Sequence, residues 1–177
     1  TILERMRLVD PAYPARSSFI YQNVMYAAAG AVVEAASGMP WERFIESRIF
    51  SPLGMTDSIV GSATLTSHPN RAEPHDVIEG AVARIENASV DGVAPAGSIW
   101  SSVDDMSKWM RLLLAGGTTK TGERLLSEAT VGELFQPQAL VTKAAFYPTA
   151  QITRPNWRTY GLGWFQQDYA GMKVDFH

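Results

Sequence analysis

Arg16-Ser17-Ser18-Phe19-Ile20-Tyr21-Gln22-Asn23-Val24-Met25-Tyr26-Ala27-Ala28-Ala29-Gly30, running on to Glu34-Ala35-Ala36-Ser37-Gly38, describes a loop that enters a helix of small residues. Asn23 suits an N-cap and Gly38 a C′ position, each relieving backbone groups that a helix end leaves without partners. A helix over about Val24 to Ser37 is therefore expected. Met25, Ala28, Ala29, Val32, Val33 and Ala36 recur at three- and four-residue spacings, so the helix should be buried, and its many Ala and Gly residues would let another helix come close.

Outward from this stretch, a second helix should begin at Pro40, a residue suited to a first helical turn. It would carry Trp41, Phe44 and Ile45 inward and stop in a turn at Ser51-Pro52-Leu53-Gly54. From Gly61 to about Val77 the composition shifts to Ser, Thr, Pro, Asn and His, which reads as a long surface loop of the kind that borders sites. A short hairpin over Val82 to Val93, turning at Asp91-Gly92, is expected next. Ser102 with Asp105 approximates a capping box for a helix whose apolar stripe is Met106, Trp109, Met110, Leu113 and Leu114 and which ends at Gly116-Gly117. A further helix should span Ser127 to about Phe135, followed after Pro137 by a mixed segment. Two extended runs, Tyr160-Gly161-Leu162-Gly163-Trp164-Phe165 and Met172-Lys173-Val174-Asp175-Phe176, turn at Ala170-Gly171 and form a terminal antiparallel hairpin.

With 177 residues, 46% of them apolar and 19% charged, the chain is long enough for a core and ordinary in composition, which excludes a disordered chain. A net charge of −3 without a basic cluster argues against a nucleic-acid partner. The absence of cysteine removes disulfides, thiolate metal sites and thiol nucleophiles. The longest apolar stretch, Met25 to Val33, falls far short of the roughly 20 residues a spanning helix needs. The chain opens Thr1-Ile2-Leu3 without Met and closes Asp175-Phe176-His177 in what reads as a strand, so an internal piece of a longer polypeptide is expected.

Gly-x-Ser-x-Gly, Gly-x-x-x-x-Gly-Lys, His-Glu-x-x-His and Gly-x-Gly-x-x-Gly are all absent. His68, Glu73, His75 and Asp76 cluster in the loop but lack the spacing of a metal helix, and no metal is expected. Asn87-Ala88-Ser89 matches a glycosylation acceptor that chance readily produces. Lys120-Thr121-Gly122 lies in a polar connection between two helices and reads as a turn. Tyr21-Gln22-Asn23 is more informative, because the loop delivers the phenol just before a helix fixes the backbone at Asn23.

Taken with Ile49-Phe50-Ser51-Pro52-Leu53-Gly54-Met55-Thr56-Asp57, Pro95-Ala96-Gly97-Ser98-Ile99, Asp104-Asp105-Met106-Ser107-Lys108-Trp109, Arg124-Leu125-Leu126-Ser127 and Tyr160-Gly161-Leu162-Gly163-Trp164, the opening run resembles the serine β-lactamase-related, penicillin-binding-protein-like family. That group holds class C β-lactamases, D-alanyl-D-alanine carboxypeptidases and related esterases. The resemblance implies a mainly α chain with a late antiparallel β hairpin, a fragment of the α+β β-lactamase/transpeptidase-like fold. Residues 1–157 would be the helical subdomain, with its long loop at 61–77, and residues 158–177 the start of the returning sheet.

The family's chemistry implies roles. Ser-x-x-Lys supplies the nucleophile and an ammonium, Tyr-x-Asn faces it, and Lys-Thr-Gly or His-x-Gly closes the site. By position, Tyr21 would accept the serine proton and Asn23 would bind the lysine and the substrate's acyl-side amide. His177 would be the first residue of His-x-Gly, and Pro95, Ala96, Gly97 and Ser98 would line the substrate cleft. A free phenol titrates near pH 10, so it serves as a base near neutrality only when neighbouring cations favour the phenolate.

No Ser-x-x-Lys occurs in the chain: Lys108, Lys120, Lys143 and Lys173 are preceded at three residues by Asp105, Gly117, Leu140 and Ala170. The nucleophile is expected upstream, the chain alone is expected to be inactive, and the parent would act on a small-molecule or peptide acyl substrate without metal or organic cofactor. Self-association through exposed strand edges is expected, and a periplasmic or secreted location follows from the resemblance alone. The alternative is a non-catalytic binding or regulatory module with the same fold.

Overall fold

Helix α1 (Ile2–Met6) starts under a capping box that the sequence reading did not draw out: the Thr1 side chain accepts from the Glu4 backbone N–H while the Glu4 carboxylate returns to the N-terminal amine. The computed structural model describes residues 1–142 and 150–177 and divides them into two units, Thr1–Val9 with Gln22–Trp109 and Asp10–Tyr21 with Met110–His177. The mixed segment expected after Pro137 falls partly on residues 143–149, outside the described residues.

In the first unit, α2 (Asn23–Ser37) is the alanine-rich helix. Gly38 closes it at φ 71°, a left-handed conformation that glycine adopts without a Cβ clash. Its start differs from expectation: Gln22 is the N-cap and Asn23 already lies in the first turn. The helix is also not buried. Gly30 is its one buried residue, while Met25 and Val32 are 54% and 66% exposed, because the face carrying Met25, Ala29, Val32 and Ala36 meets nothing within this unit. The opposite face packs against a 3-10 helix at Asp91–Ala96.

Pro40 caps α3 (Trp41–Ile45) rather than opening it, and the Trp41 N–H finds the Glu34 carboxylate at 3.0 Å. The expected turn at Ser51–Gly54 is instead more helix. A π-helical turn at Glu46–Phe50 carries the chain into α4 (Ser51–Leu53), and Gly54 at φ 65° ends it. Trp41, Phe50 and Met55 make the core there.

Strand β1 (Ile59–Val60) precedes the expected loop of residues 61–77, which is more ordered than its composition suggests. Leu65 anchors a 3-10 turn at Leu65–Ser67, 6% exposed, and β2 (His75–Ile78) begins inside the loop. The hairpin lies earlier than expected: β2 pairs antiparallel with β3 (Ala81–Arg84) around Glu79-Gly80, both at positive φ. Asp91-Gly92 makes no hairpin because the Asp91 carboxylate is drawn to Ser62 and Ser98, which curls the chain into the 3-10 helix. β4 (Ile99–Trp100) then pairs with β1.

Helix α5 (Val103–Leu114) gives its first half to this unit and its second half to the other. Half of the expected capping box is present, since Ser102 Oγ accepts from the Asp105 N–H at 3.1 Å. The Asp105 side chain turns inward instead of returning to the cap. The expected stripe shifts too: Leu112 and Leu113 are buried, whereas Met110 and Leu114 are 56% and 85% exposed.

In the second unit, Lys120-Thr121-Gly122 lies in a turn, with the Gly122 N–H on the Thr119 carbonyl at 3.0 Å. Ser127 caps α6 (Glu128–Leu134) as read, accepting from the Thr130 N–H. β5 (Ala139–Leu140), α7 (Ala150–Thr153), β6 (Arg158–Tyr160), β7 (Phe165–Tyr169) and β8 (Met172–Phe176) follow, and the strands form a four-stranded antiparallel sheet in the order β5-β6-β7-β8. The terminal hairpin is present, turning through Ala170 and Gly171 at positive φ. The run Tyr160–Phe165 is not one strand. It breaks at a corner in which Gly161 N–H bonds the Trp164 carbonyl, and Gly163 takes φ 87°. Helices and antiparallel strands thus make up both units, and two strand pairs precede residue 101.

Candidate active site

Tyr21 reaches its position through an aromatic cluster within the second unit. Phe165, fully buried, lies parallel to the Tyr21 ring at 6.3 Å and 10°, and Tyr160 meets it edge-on at 6.5 Å. Phe19 packs on Tyr160 at 5.1 Å and on Phe165 at 5.9 Å, and Phe176 stacks on Phe165 from β8. Alternation along β6, β7 and β8 sends Tyr160, Phe165 and Phe176 to one face, so three ladder partners present their rings to the segment carrying Phe19 and Tyr21. Each such ring pair adds about 0.5–1.5 kcal/mol beyond its buried area.

The cluster brings Tyr21 Oη to 3.1 Å from His177 Nε2, across 156 residues of chain. The other ring nitrogen, Nδ1, is 2.6 Å from the Gly163 carbonyl. A carbonyl oxygen only accepts, so Nδ1 carries a proton. In the neutral ring Nε2 is then a lone pair facing the phenol. Sequence spacing could not show the Gly163 contact, which depends on the corner between β6 and β7.

The remaining candidates belong to the first unit. Asn23 is exposed in the first turn of α2. Pro95 and Ala96 close the 3-10 helix, and Pro95 sits so near Gly30 that a Cβ on Gly30 would lie 2.2 Å from Pro95 Cγ. Ser98 is fully buried. Its hydroxyl donates to Asp91 at 2.8 Å and its carbonyl accepts from the Gly61 N–H at 2.7 Å, so within the unit it anchors the segment. Hydrogen bonds from the Ser62 hydroxyl and N–H, and then from Ser98, hold the Asp91 carboxyl down at about 2.

Asp105 is a group whose importance the sequence did not reveal. Its carboxylate is wholly buried and accepts from the Asp57 N–H, the Ser58 hydroxyl and Lys108 Nζ at 2.8, 2.8 and 2.7 Å. Burial pushes its carboxyl upward, but the bonds from Lys108, Ser58 and Asp57 together outweigh that and leave it below the usual carboxylate range. Lys108 also donates to the Gly54 carbonyl, tying α5 to the end of α4. Among the described residues no group of three or more His, Asp or Glu could hold a metal, and no helix is long and apolar enough to cross a membrane.

Comparison with known proteins agrees with this architecture. The family model for Beta-lactamase matches residues 1–176, and the chain belongs to that family. A protein of Salmonella gallinarum named "Putative D-alanyl-D-alanine carboxypeptidase" is 26% identical over 197 residues, covering 99% of this chain and 41% of its own length. This chain therefore spans well under half the length of the curated relatives it matches. Among solved structures, the octameric penicillin-binding protein homologue from Pyrococcus abyssi superposes over 100% of this chain and 38% of its own with a TM-score of 0.74 at 20% identity, a likeness of fold. The D-amino acid amidase from Ochrobactrum anthropi SV3, solved with L-phenylalanine amide, covers 91% of this chain and 43% of its own at 26% identity and a TM-score of 0.66.

Proposed function

We propose that this chain supplies the helical part and the first returning strands of a serine hydrolase that transfers an acyl group to water through an acyl-serine. The hydrogen bond between Tyr21 and His177, with the imidazole fixed from behind by Gly163, is the observation that carries the reading. In this mechanism the serine oxygen attacks the acyl carbon and its proton passes to the Tyr21 oxygen. The phenol gives its own proton to His177 Nε2. The positive charge then rests on an imidazolium whose Nδ1–H already has an acceptor, and no bare phenolate is needed. Collapse of the tetrahedral intermediate returns the proton through the phenol to the leaving group, and water repeats the sequence on the acyl-serine.

The nucleophile comes from outside these 177 residues, because the sequence holds no Ser-x-x-Lys. In this reading Asn23 binds the substrate's acyl-side amide and the lysine of that motif, and Pro95, Ala96 and Gly97 form the cleft lining, with Ser98 buried behind them as their anchor to Asp91. The solved D-amino acid amidase makes amides of D-residues the first substrate class to test. The deciding experiment is intact-mass analysis after exposure to a fluorophosphonate and, separately, to a penicillin. It compares the 177-residue chain with a polypeptide extended at both ends. One adduct on the extended protein alone, formed at least about 100-fold more slowly in Tyr21→Phe, is expected. Stoichiometric labelling of the 177-residue chain would overturn the assignment.

A further inference from the structure

Gln166 is wholly buried, carries a polar amide and does no chemistry in the proposed acyl transfer. It stands opposite Thr159 across β6 and β7, and alternation puts it on the sheet face away from Phe165 and the Tyr21 cluster. Both ends of its amide are engaged. Nε2 donates to the Trp164 carbonyl at 3.0 Å, and Oε1 accepts from the Thr159 hydroxyl at 2.8 Å. A carbonyl oxygen only accepts, so the amide nitrogen is the end that faces Trp164. A buried amide left without partners is costly, and these two bonds therefore fix its orientation.

The bond to Trp164 falls on the corner that carries Gly163. The Gly161 N–H donates to the same Trp164 carbonyl at 2.8 Å, and the Gly163 N–H donates to the Gly161 carbonyl at 3.0 Å. Neighbours crowd the corner as well. A Cβ on Gly161 would lie 2.7 Å from the Gln136 carbonyl oxygen and 3.1 Å from both the Leu134 oxygen and Gln166 Nε2, so no side chain fits there. Trp164 sets its ring 5.1 Å from that of Phe135. Held this way, the corner presents the Gly163 carbonyl to His177 Nδ1 at 2.6 Å, while Nε2 meets the Tyr21 oxygen at 3.1 Å. A series of hydrogen bonds thus leads from Thr159 through Gln166 and the corner to His177 and Tyr21, all inside the second unit.

We infer that Gln166 is a positioning residue for His177. By holding the Trp164 carbonyl it fixes the Gly163 carbonyl, and that acceptor decides which imidazole nitrogen keeps the proton. With Nδ1 protonated, Nε2 offers the lone pair that takes the phenol proton. With the corner released, the proton can sit on Nε2, which then donates to the Tyr21 oxygen and accepts nothing from it. The catalytic consequence rests on the acyl-transfer reading, whereas the choice of tautomer does not.

The test reads the two ring nitrogens of His177 by ¹⁵N NMR in the 177-residue chain at about pH 8.5, well above the ordinary imidazole value, where a protonated and a bare nitrogen resonate far apart. The signals are told from those of His68 and His75 by their loss in His177→Gln. The native chain is expected to show Nδ1 protonated and Nε2 bare. In Gln166→Met, which fills similar space without a donor, the two signals should move toward each other as the Nε2–H form becomes populated. Thr159→Val removes only the hydroxyl and should give the same change to a smaller extent, and it stands in if Gln166→Met does not fold. Val131→Ala opens a cavity in the core at α6 and should lower the urea midpoint without moving the His177 signals, which separates positioning from lost stability. In the polypeptide extended at both ends, Gln166→Met should slow fluorophosphonate labelling about 10-fold, less than Tyr21→Phe does. Native His177 signals in a folded Gln166→Met and in Thr159→Val, or signals displaced equally by Val131→Ala, would overturn the inference. A displaced tautomer in Gln166→Met beside unslowed labelling of Tyr21→Phe would support the positioning and overturn the acyl-transfer reading instead.

Discussion

Gly30→Ala puts the seating of the Pro95 segment on α2 to a test of sign. Gly30 lies in the middle of a 15-residue helix, where intrinsic preference favours alanine over glycine by about 1 kcal/mol. On that ground alone the substitution should stabilise. The added Cβ, however, would stand 2.2 Å from Pro95 Cγ, 2.9 Å from Pro95 Cβ and 3.5 Å from Pro95 Cδ, where ordinary carbon contacts begin near about 3.5 Å. The obstructing atoms belong to a closed ring that cannot swing to another rotamer. Overpacking of this kind costs about 1–3 kcal/mol, and an overlap exceeding 1 Å against a stiff neighbour belongs at the upper end. Set against the helix gain, a net loss of about 2 kcal/mol is expected, read as a lower urea midpoint at unchanged slope. All three contacts are with the proline ring, so in a Pro95→Gly background the same Gly30→Ala change should stabilise by about 1 kcal/mol. The difference between backgrounds is a coupling of about 3 kcal/mol. A stabilising Gly30→Ala in the native background, or the same effect in both, would refute the contact.

Asp105→Asn leaves Lys108 without its charge partner and should cost about 3 kcal/mol in urea unfolding. Because the folded-state pKa of Asp105 lies below its unfolded value, its contribution is complete above the ordinary carboxylate range and fades as pH falls through the lowered value. The urea midpoint of the native chain should therefore drop on acidification below about pH 4, and Asp105→Asn should flatten that dependence. Gly117→Ala should destabilise the chain by more than about 3 kcal/mol, read as a lower urea midpoint. The residue holds φ 90°, and a Cβ there would meet the Leu126 carbonyl oxygen at 2.2 Å, a backbone atom that cannot move aside. Tyr21→Phe keeps the stack on Phe165 and should change stability by no more than about 1 kcal/mol, while the ¹⁵N resonance of His177 Nε2 shifts as its partner disappears.

Local chemistry explains which parts of the fold were readable. Gly38 and Gly54 end helices, Ser127 begins one and Ala170-Gly171 turns the last hairpin, because capping and positive φ are decided within a few residues. Asp91-Gly92 misled for the same reason: its dipeptide favours a tight turn, but its carboxylate had two hydroxyl partners 29 and 7 residues away. Burial of α2 was misjudged because its small-residue stripe tells of an apolar face without saying what the chain places against it. The site divided likewise. The Tyr-x-Asn spacing singled out Tyr21, but nothing near it in sequence announced Phe165 as its support or the Gly163 carbonyl as the group that orients His177.

The sequence by itself determined the helix ends, the closing hairpin, the absence of a nucleophile motif and the family, all carried by residue types at short spacings. Tertiary structure alone decided that Tyr21 meets His177, that Asp105 binds Asp57, Ser58 and Lys108, and that Arg158 is buried facing no carboxylate among the described residues. These depend on sheet register and packing between residues far apart in the chain; a one-residue slip of β6, for example, would send the Arg158 side chain to the opposite face.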